Sequence, residues 1–187
     1  MMTIDGRMVA GEALLRARGA DDIDHPGGTL LAHLIRVAVM LKKWGADGDI
    51  QLAGLCHAAY STDGFDVALL SQGERAVLAE AIGDTAEALV YLYASCDRQQ
   101  TYAQLAQPVL TFTDRFDNTQ HTPPASAIRA FVEITAANEW DVLHHNEELA
   151  LRYGAELTQM FADARRYLSE PARNAWRTPP NSAVSAP

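Results

Sequence analysis

The sequence has few cysteines, no long apolar run and no cluster of basic residues. Its two cysteines, Cys56 and Cys96, are too few for a disulfide framework. No apolar stretch approaches the roughly 20 residues that cross a bilayer, and the first residues do not resemble a secretory signal. The longest basic run is Lys42-Lys43, and the net charge is -9. Because such a chain repels phosphate backbones and anionic lipids, we expect it to bind neither nucleic acid nor membrane. From the lack of a membrane-spanning stretch and of a signal-like start, we expect a cytoplasmic protein.

What the sequence does contain is helical periodicity. Apolar residues recur at spacings of three and four along almost the whole chain, which is typical of helices packed around a core. With 187 residues, of which 48% are hydrophobic, the chain can bury one sizeable core. We predict an all-α compact bundle forming a single domain over residues 1–177, with a disordered C-terminal tail over 178–187. Helices are predicted at about 9–18, 29–44, 49–60, 72–82, 85–95, 125–143 and 147–168, and a small β-hairpin at 109–113 and 116–122.

Several helix starts are marked by capping signals. Ser71 with Glu74, and Asp84 with Glu87, have the spacing of a capping box, in which the side chains at the two positions bond each other's backbone N–H. Asp49 is predicted to cap the third helix. The sequence therefore predicts three helix starts by side-chain chemistry as well as by periodicity.

Three histidines fall on or just before the two most apolar predicted helices: His25, His33 and His57. A single buried histidine is usually a core residue that bonds a carbonyl. The turn over residues 45–48 is short enough to make the two helices antiparallel neighbours, so His33 and His57 can meet near mid-height. Three imidazoles on one wall would indicate a site.

The segments that carry these histidines resemble the HD-domain superfamily. They read HLIRVA over residues 33–38 and AGLCH over residues 53–57. They are most similar to the hydrolase domain that removes pyrophosphate from guanosine tetraphosphate in stringent-response enzymes, and the similarity covers about residues 20–145. The resemblance implies an HD-like helical bundle. It also implies a divalent metal site built from a His on the first helix, a His-Asp pair on the second and an Asp on a later helix.

Both carboxylates of that metal site are missing here. Ala58 stands beside His57, and Asn138 stands where the resemblance places the last Asp. Two neutral imidazoles and an amide leave the charge of a divalent ion uncompensated, and the family reaction needs that ion to polarise a phosphoryl oxygen. Asp141, one turn after Asn138, is only a minor candidate for the lost carboxylate. We therefore expect the family's activity only as an alternative, a metal-dependent phosphohydrolase with substituted ligands.

Two arrangements of the histidines remain open. In the first, His25, His33 and His57 form a three-histidine site for one divalent ion, with Zn, Fe, Mn or Ni as candidates. In the second, which we favour over the usual HD site, no metal is bound and His57 or His33 acts as a general acid or base. Tyr60 is then expected to donate a hydrogen bond in the site.

Three further residues are predicted to bind the substrate. His25 and Arg98 would contact it, and the planar fork of Arg98 suits an anionic group, with Asp97 as its alternative internal partner. The amide of Asn138 would orient the substrate or His57.

The sequence thus predicts an HD-like enzyme that acts on a small polar metabolite by hydrolysis, elimination or isomerisation. The alternative from a different class is a non-catalytic HD-like module that binds a small ligand or a protein. The last long helix, over residues 147–168, carries more apolar residues than one packing face requires, which predicts a homodimer.

Overall fold

The structure is a computed structural model that describes residues 2–107, 109–178 and 180. These ranges contain nine α-helices and two small antiparallel hairpins, so the prediction of an all-α bundle with a small β-hairpin is confirmed. The helices are α1 (Ile4–Ala17), α2 (Leu30–Lys43), α3 (Gly48–Cys56), α4 (Arg75–Ile82), α5 (Asp84–Ser95), α6 (Arg98–Tyr102), α7 (Ala125–His145), α8 (Glu147–Asp163) and α9 (Glu170–Ala175). The strands are β1 (Asp24–His25), β2 (Gly28–Thr29), β3 (Phe112–Thr113) and β4 (Gln120–His121), paired β1 with β2 and β3 with β4.

Helix α3 lies at the centre of the bundle and contacts α1, α2, α5 and α7. It has no polar face, and every residue from Leu52 to Cys56 is buried. Gly54 lets α2 approach closely, because a Cβ at this position would lie 2.2 Å from Cδ1 of Leu41. The short turn after α2 thus brings the two helices together, as the sequence predicts.

The third helix was predicted to continue to Tyr60, and this prediction is wrong. Helix α3 ends at Cys56, and His57 is its C-cap. The chain then turns: the N–H of Ala59 donates to the carbonyl oxygen of Cys56, and the N–H of Ser61 donates to that of Ala58. Ser61 has a φ of 66°. This turn rotates Tyr60 away from the helical position below His57.

The capping signals were only partly correct. The Ser71 and Glu74 box is present, ahead of a 3-10 turn at Gln72–Glu74 that leads into α4. The box at Asp84 is absent, because the N-cap of α5 is Gly83, and the carboxylate of Glu87 bonds Arg75 and Tyr60 instead. The predicted cap Asp49 is also wrong: Asp47 occupies the N-cap, and Asp49 pairs with Arg7 at 2.8 Å.

Other helix boundaries differ by a few residues between the prediction and the structure. Helix α1 begins at Ile4, five residues early, because Thr3 caps it, and α8 ends at Asp163 before a 3-10 turn at Arg165–Tyr167. The predicted hairpin pairs Phe112 with His121, and the hairpin of β1 and β2 was not foreseen. The predicted disordered tail lies outside the described residues except for Thr178 and Pro180. In the part of the chain that is described, no helix has both the length and the apolar content needed to cross a membrane.

Candidate functional site

A cavity of about 250 Å³ lies among the β1–β2 hairpin, α2, the residues after α3, and α7. Its wall includes Ala58 and Glu139 as well as five of the six residues predicted to form the site: His25, His33, His57, Arg98 and Asn138. The sixth, Tyr60, lies elsewhere. The three imidazoles therefore converge on one wall. Such convergence distinguishes a candidate site from histidines that are buried singly in a core.

His33 is the most tightly held of these side chains. It is 1% exposed, its Nδ1 lies 2.7 Å from Oδ2 of Asp141, and its Nε2 lies 3.0 Å from Oδ1 of Asn138. The amide of Asn138 is oriented by its own Nδ2, which donates to Oε1 of Glu139 at 3.0 Å. Both ring nitrogens of His33 thus face oxygen atoms of α7, and neither is free for a ligand.

Asp141 is the carboxylate that sequence reasoning undervalued. Arg36 binds it through two bonds, Nε to Oδ1 at 2.7 Å and Nη2 to Oδ2 at 2.8 Å. Burial raises the pKa of Asp141, but the hydrogen bonds from His33 and Arg36 lower it more, to about 2. The spacing of Asn138 and Asp141, one turn apart on one helix face, was the available signal, and this offset lets them reach opposite sides of one ring.

Arg36, also missed as a site residue, connects this network to the cavity rim. Its Nη1 donates to the carbonyl oxygen of Gly27 at 3.1 Å, and its Nη2 donates to that of Pro26 at 3.0 Å. These two residues form the turn between β1 and β2, where Gly27 has a φ of 79°. One guanidinium therefore fixes both Asp141 and the hairpin that carries His25.

His57 is held as a neutral imidazole with a defined tautomer. Its Nδ1 lies 2.8 Å from the carbonyl oxygen of Gly54, which can only accept, so Nδ1 carries the proton and Nε2 is an acceptor. The ring packs edge-on against His33 and Tyr93, with centroids 5.3 and 5.1 Å away. Burial and the proximity of His33 lower the pKa of His57 to about 3. His57 therefore offers the cavity a proton acceptor.

His25 covers the other face of His33. The two rings stack with centroids 4.0 Å apart and an interplanar angle of 26°. Burial, followed by the proximity of His33, lowers the pKa of His25 to about 4. Its Nδ1 is buried without a hydrogen-bond partner among the described residues.

Arg98 supplies the permanent positive charge in the cavity wall. Its Nη1 lies 3.4 Å from Oε1 of Glu139, and its Nη2 lies 3.3 Å from the hydroxyl of Tyr93. The alternative partner Asp97 instead caps α6 by accepting from the N–H of Gln100. Arg98 thus lines the cavity as one half of an ion pair, and its acidic partner is Glu139, which sequence reasoning missed.

Tyr60 is not brought to this cavity. Its hydroxyl donates to Oε1 of Glu87 at 3.0 Å, and the side chain is buried. Burial, and then the charge of Glu87, raise the pKa of the Tyr60 hydroxyl. The expected role of Tyr60 as a donor in the site depended on α3 continuing past His57, which it does not.

The three histidines do not fit the predicted metal site. Stacked rings direct their in-plane lone pairs side by side, so His25 and His33 do not converge on one ion as ligands must. His33 Nε2 also faces an amide oxygen. Over the described ranges, no group of three or more His, Cys, Asp and Glu side chains has an arrangement that could hold a metal ion.

Comparison with known protein families gives a match to part of the chain. Residues 14–98 are similar to a family described as a domain of unknown function, DUF6817. The matched segment is less than half of the chain; it contains His25, His33, His57 and Arg98 but not α7, which contributes Asn138 and Asp141. No curated protein and no solved structure matches the chain.

Proposed function

We propose that this chain is an HD-like enzyme without the family's metal, which binds a small polar metabolite in the histidine cavity. His57 accepts a proton, from the bound metabolite in an elimination or isomerisation and from the attacking water in a hydrolysis, and Arg98 holds the anionic group of the metabolite. The reaction is a hydrolysis, an elimination or an isomerisation, since each of these can begin with proton removal by an imidazole.

The observation that carries this proposal is the protonation state of His57, a neutral ring with its proton on Nδ1. A neutral imidazole with its Nδ1 proton committed to Gly54 has one function left, which is to accept a hydrogen bond or a proton at Nε2. A pKa of about 3 makes His57 a weak base when only the protein's own groups surround it. An anionic group beside Arg98 would raise that pKa, because a nearby negative charge favours the imidazolium. Substrate binding would therefore activate the base.

The other groups support His57 without needing to react. Asn138 and Asp141 hold His33 from two sides, and the rigid His33 ring then packs edge-on against His57. A catalytic side chain acts effectively only when its neighbours fix its geometry. We assign His33 a positioning role, and His25 and Asn138 substrate contacts.

The experiment is turnover of a panel of hydroxy acids, sugar phosphates and nucleotides, followed by NMR, with wild-type protein and His57→Gln. Gln can still donate an N–H to the carbonyl of Gly54, so the fold should persist. We expect turnover to fall by about 100-fold or more, because the base is lost. The thermal transition should stay nearly unchanged.

His121→Gln is the matched control. His121 lies exposed on β4, outside the cavity, so the same chemical change should leave turnover intact. Equal loss of turnover in both variants would contradict the proposal.

A second candidate is a non-catalytic HD-like module that binds a small ligand. It is favoured by the complete internal satisfaction of His33, which is typical of a structural histidine. In that case, His57→Gln would alter stability or ligand affinity, and neither protein would turn over any member of the panel.

A further inference from the structure

A second cleft, separate from the histidine cavity, lies where α8, the 3-10 turn at Arg165–Tyr167 and α9 meet. Its volume is about 290 Å³. Two aromatic rings and three cationic side chains line it: Phe161, Trp176, Arg165, Arg173 and Arg177. None of these five residues lines the histidine cavity, so the two sites are separate.

The floor of the cleft is buried and apolar. Phe161 is 1% exposed and Trp176 is 4% exposed, and their ring centroids are 4.3 Å apart. The indole Nε1 of Trp176 already donates to the carbonyl oxygen of Ala136 at 3.2 Å. The floor of the cleft therefore offers a ligand the hydrocarbon part of both rings, and the indole N–H is already used.

The three arginines around this floor are exposed and have no ion-pair partner. Across the described residues, no carboxylate lies within 4.0 Å of the guanidinium of Arg165, Arg173 or Arg177. The arginines that do have such a partner in the same part of the chain are Arg7, Arg16, Arg18, Arg36, Arg75 and Arg98.

The acidic group that Arg173 influences is bound elsewhere. Burial raises the pKa of Glu133, and the hydrogen bonds from Ser169 and the charge of Arg173 offset only part of that rise. Its Oε2 accepts from the N–H of Ser169 at 3.0 Å. Its Oε1 accepts from the Ser169 hydroxyl at 2.5 Å. Glu133 therefore does not neutralise the cleft.

Three cations without an ion-pair partner lie around this one small cleft, in a chain whose net charge is -9. Their mutual repulsion falls when a multiply charged anion enters, and guanidinium forks match the oxygens of phosphate and carboxylate groups. The volume is at the lower end of ligand pockets, about 300 Å³, so the anion must be small. We propose that this cleft is a binding site for a small organic anion that carries phosphate or several carboxylates, with its uncharged part on Phe161 and Trp176.

The test is isothermal titration with pyrophosphate and, separately, with citrate, at constant ionic strength. We expect saturable binding of at least one probe, and the preference between them identifies phosphate or carboxylate chemistry. Arg173→Gln and Arg177→Gln should each weaken binding by about tenfold or more, as expected when one charge-assisted bond is lost.

One further variant makes the result decisive. Arg152→Gln changes the net charge equally at an exposed position of α8 outside the cleft, and it should bind like the wild type. Equal weakening by Arg152→Gln, binding that neither Arg173→Gln nor Arg177→Gln weakens, or no saturable binding of either probe up to about 10 mM would each overturn the proposal.

Discussion

Asn138 and Asp141 lie one helical turn apart on α7 and reach the two nitrogens of one imidazole. This contact fixes His33 between an amide and a carboxylate, and the same carboxylate neutralises Arg36. A buried charge is tolerated only when it is paired and hydrogen-bonded, and Asp141 meets both conditions. The carboxylate of Asp141 therefore holds both His33 and Arg36 in place in the site.

Asp141→Asn should destabilise the protein by about 3 kcal/mol, because the variant leaves the charge of Arg36 without its buried partner. Urea unfolding at pH 7 measures this change. Asp97→Asn is the matched control, since Asn caps α6 as well as Asp does, and it should change the unfolding free energy by less than about 0.5 kcal/mol. Equal stabilities of Asp141→Asn and the wild type would contradict the assigned role.

At the scale of elements, the β1–β2 hairpin covers the cavity and is held by side chains more than by its own two-residue strands. Arg36 bonds the carbonyls of Pro26 and Gly27, and His25 stacks on His33. A hairpin this short is not stable alone. Its order therefore depends on α2 and α7.

Arg36→Gln should loosen this hairpin. The guanidinium bonds to both turn carbonyls are lost, so amide hydrogen exchange over residues 24–30 should become several-fold faster. Arg75→Gln is the control: Arg75 makes an equivalent two-bond pair with buried Glu87 but does not bond the hairpin. Exchange that speeds up equally in both variants would indicate a general loss of stability.

The elements also show what the sequence could and could not predict. The short turn after α2 brought His33 and His57 together, because antiparallel neighbours are the simplest result of a short connection. The role of Asp141 depended on the axial offset between α2 and α7, which are distant in sequence and whose relative position is set by packing. Tyr60 was misplaced because the end of a helix within an apolar run carries no local capping signal.

At the scale of the whole molecule, the buried histidines link folding to pH. The pKa of His57 falls from 6.5 to about 3 on folding, and that of His25 falls to about 4. The unfolded chain therefore binds more protons below pH 6.5. Folding buries the neutral rings of His57 and His25, and the stability that depends on their neutrality is fully present above pH 6.5. It is lost as the pH falls toward the pKa values that these two rings have in the folded protein.

Unfolding free energies measured from pH 7.5 to 5 should show this loss. Well below pH 6.5, His57 alone contributes a slope of about 1.4 kcal/mol per pH unit, and His25 acts in the same direction. His57→Gln should have a shallower slope, because this variant lacks the buried imidazole whose pKa is lowered on folding. Identical slopes for wild type and His57→Gln would show that His57 titrates normally in the folded protein.

The most direct test of the account is the protonation state of His57, read from ¹⁵N chemical shifts of its ring as a function of pH. We predict a neutral ring that carries its proton on Nδ1 at pH 7 and stays neutral to about pH 4, with assignment by loss of the signals in His57→Gln. A charged ring at pH 7, or a proton on Nε2, would remove the proton acceptor from the cavity and contradict the proposed function.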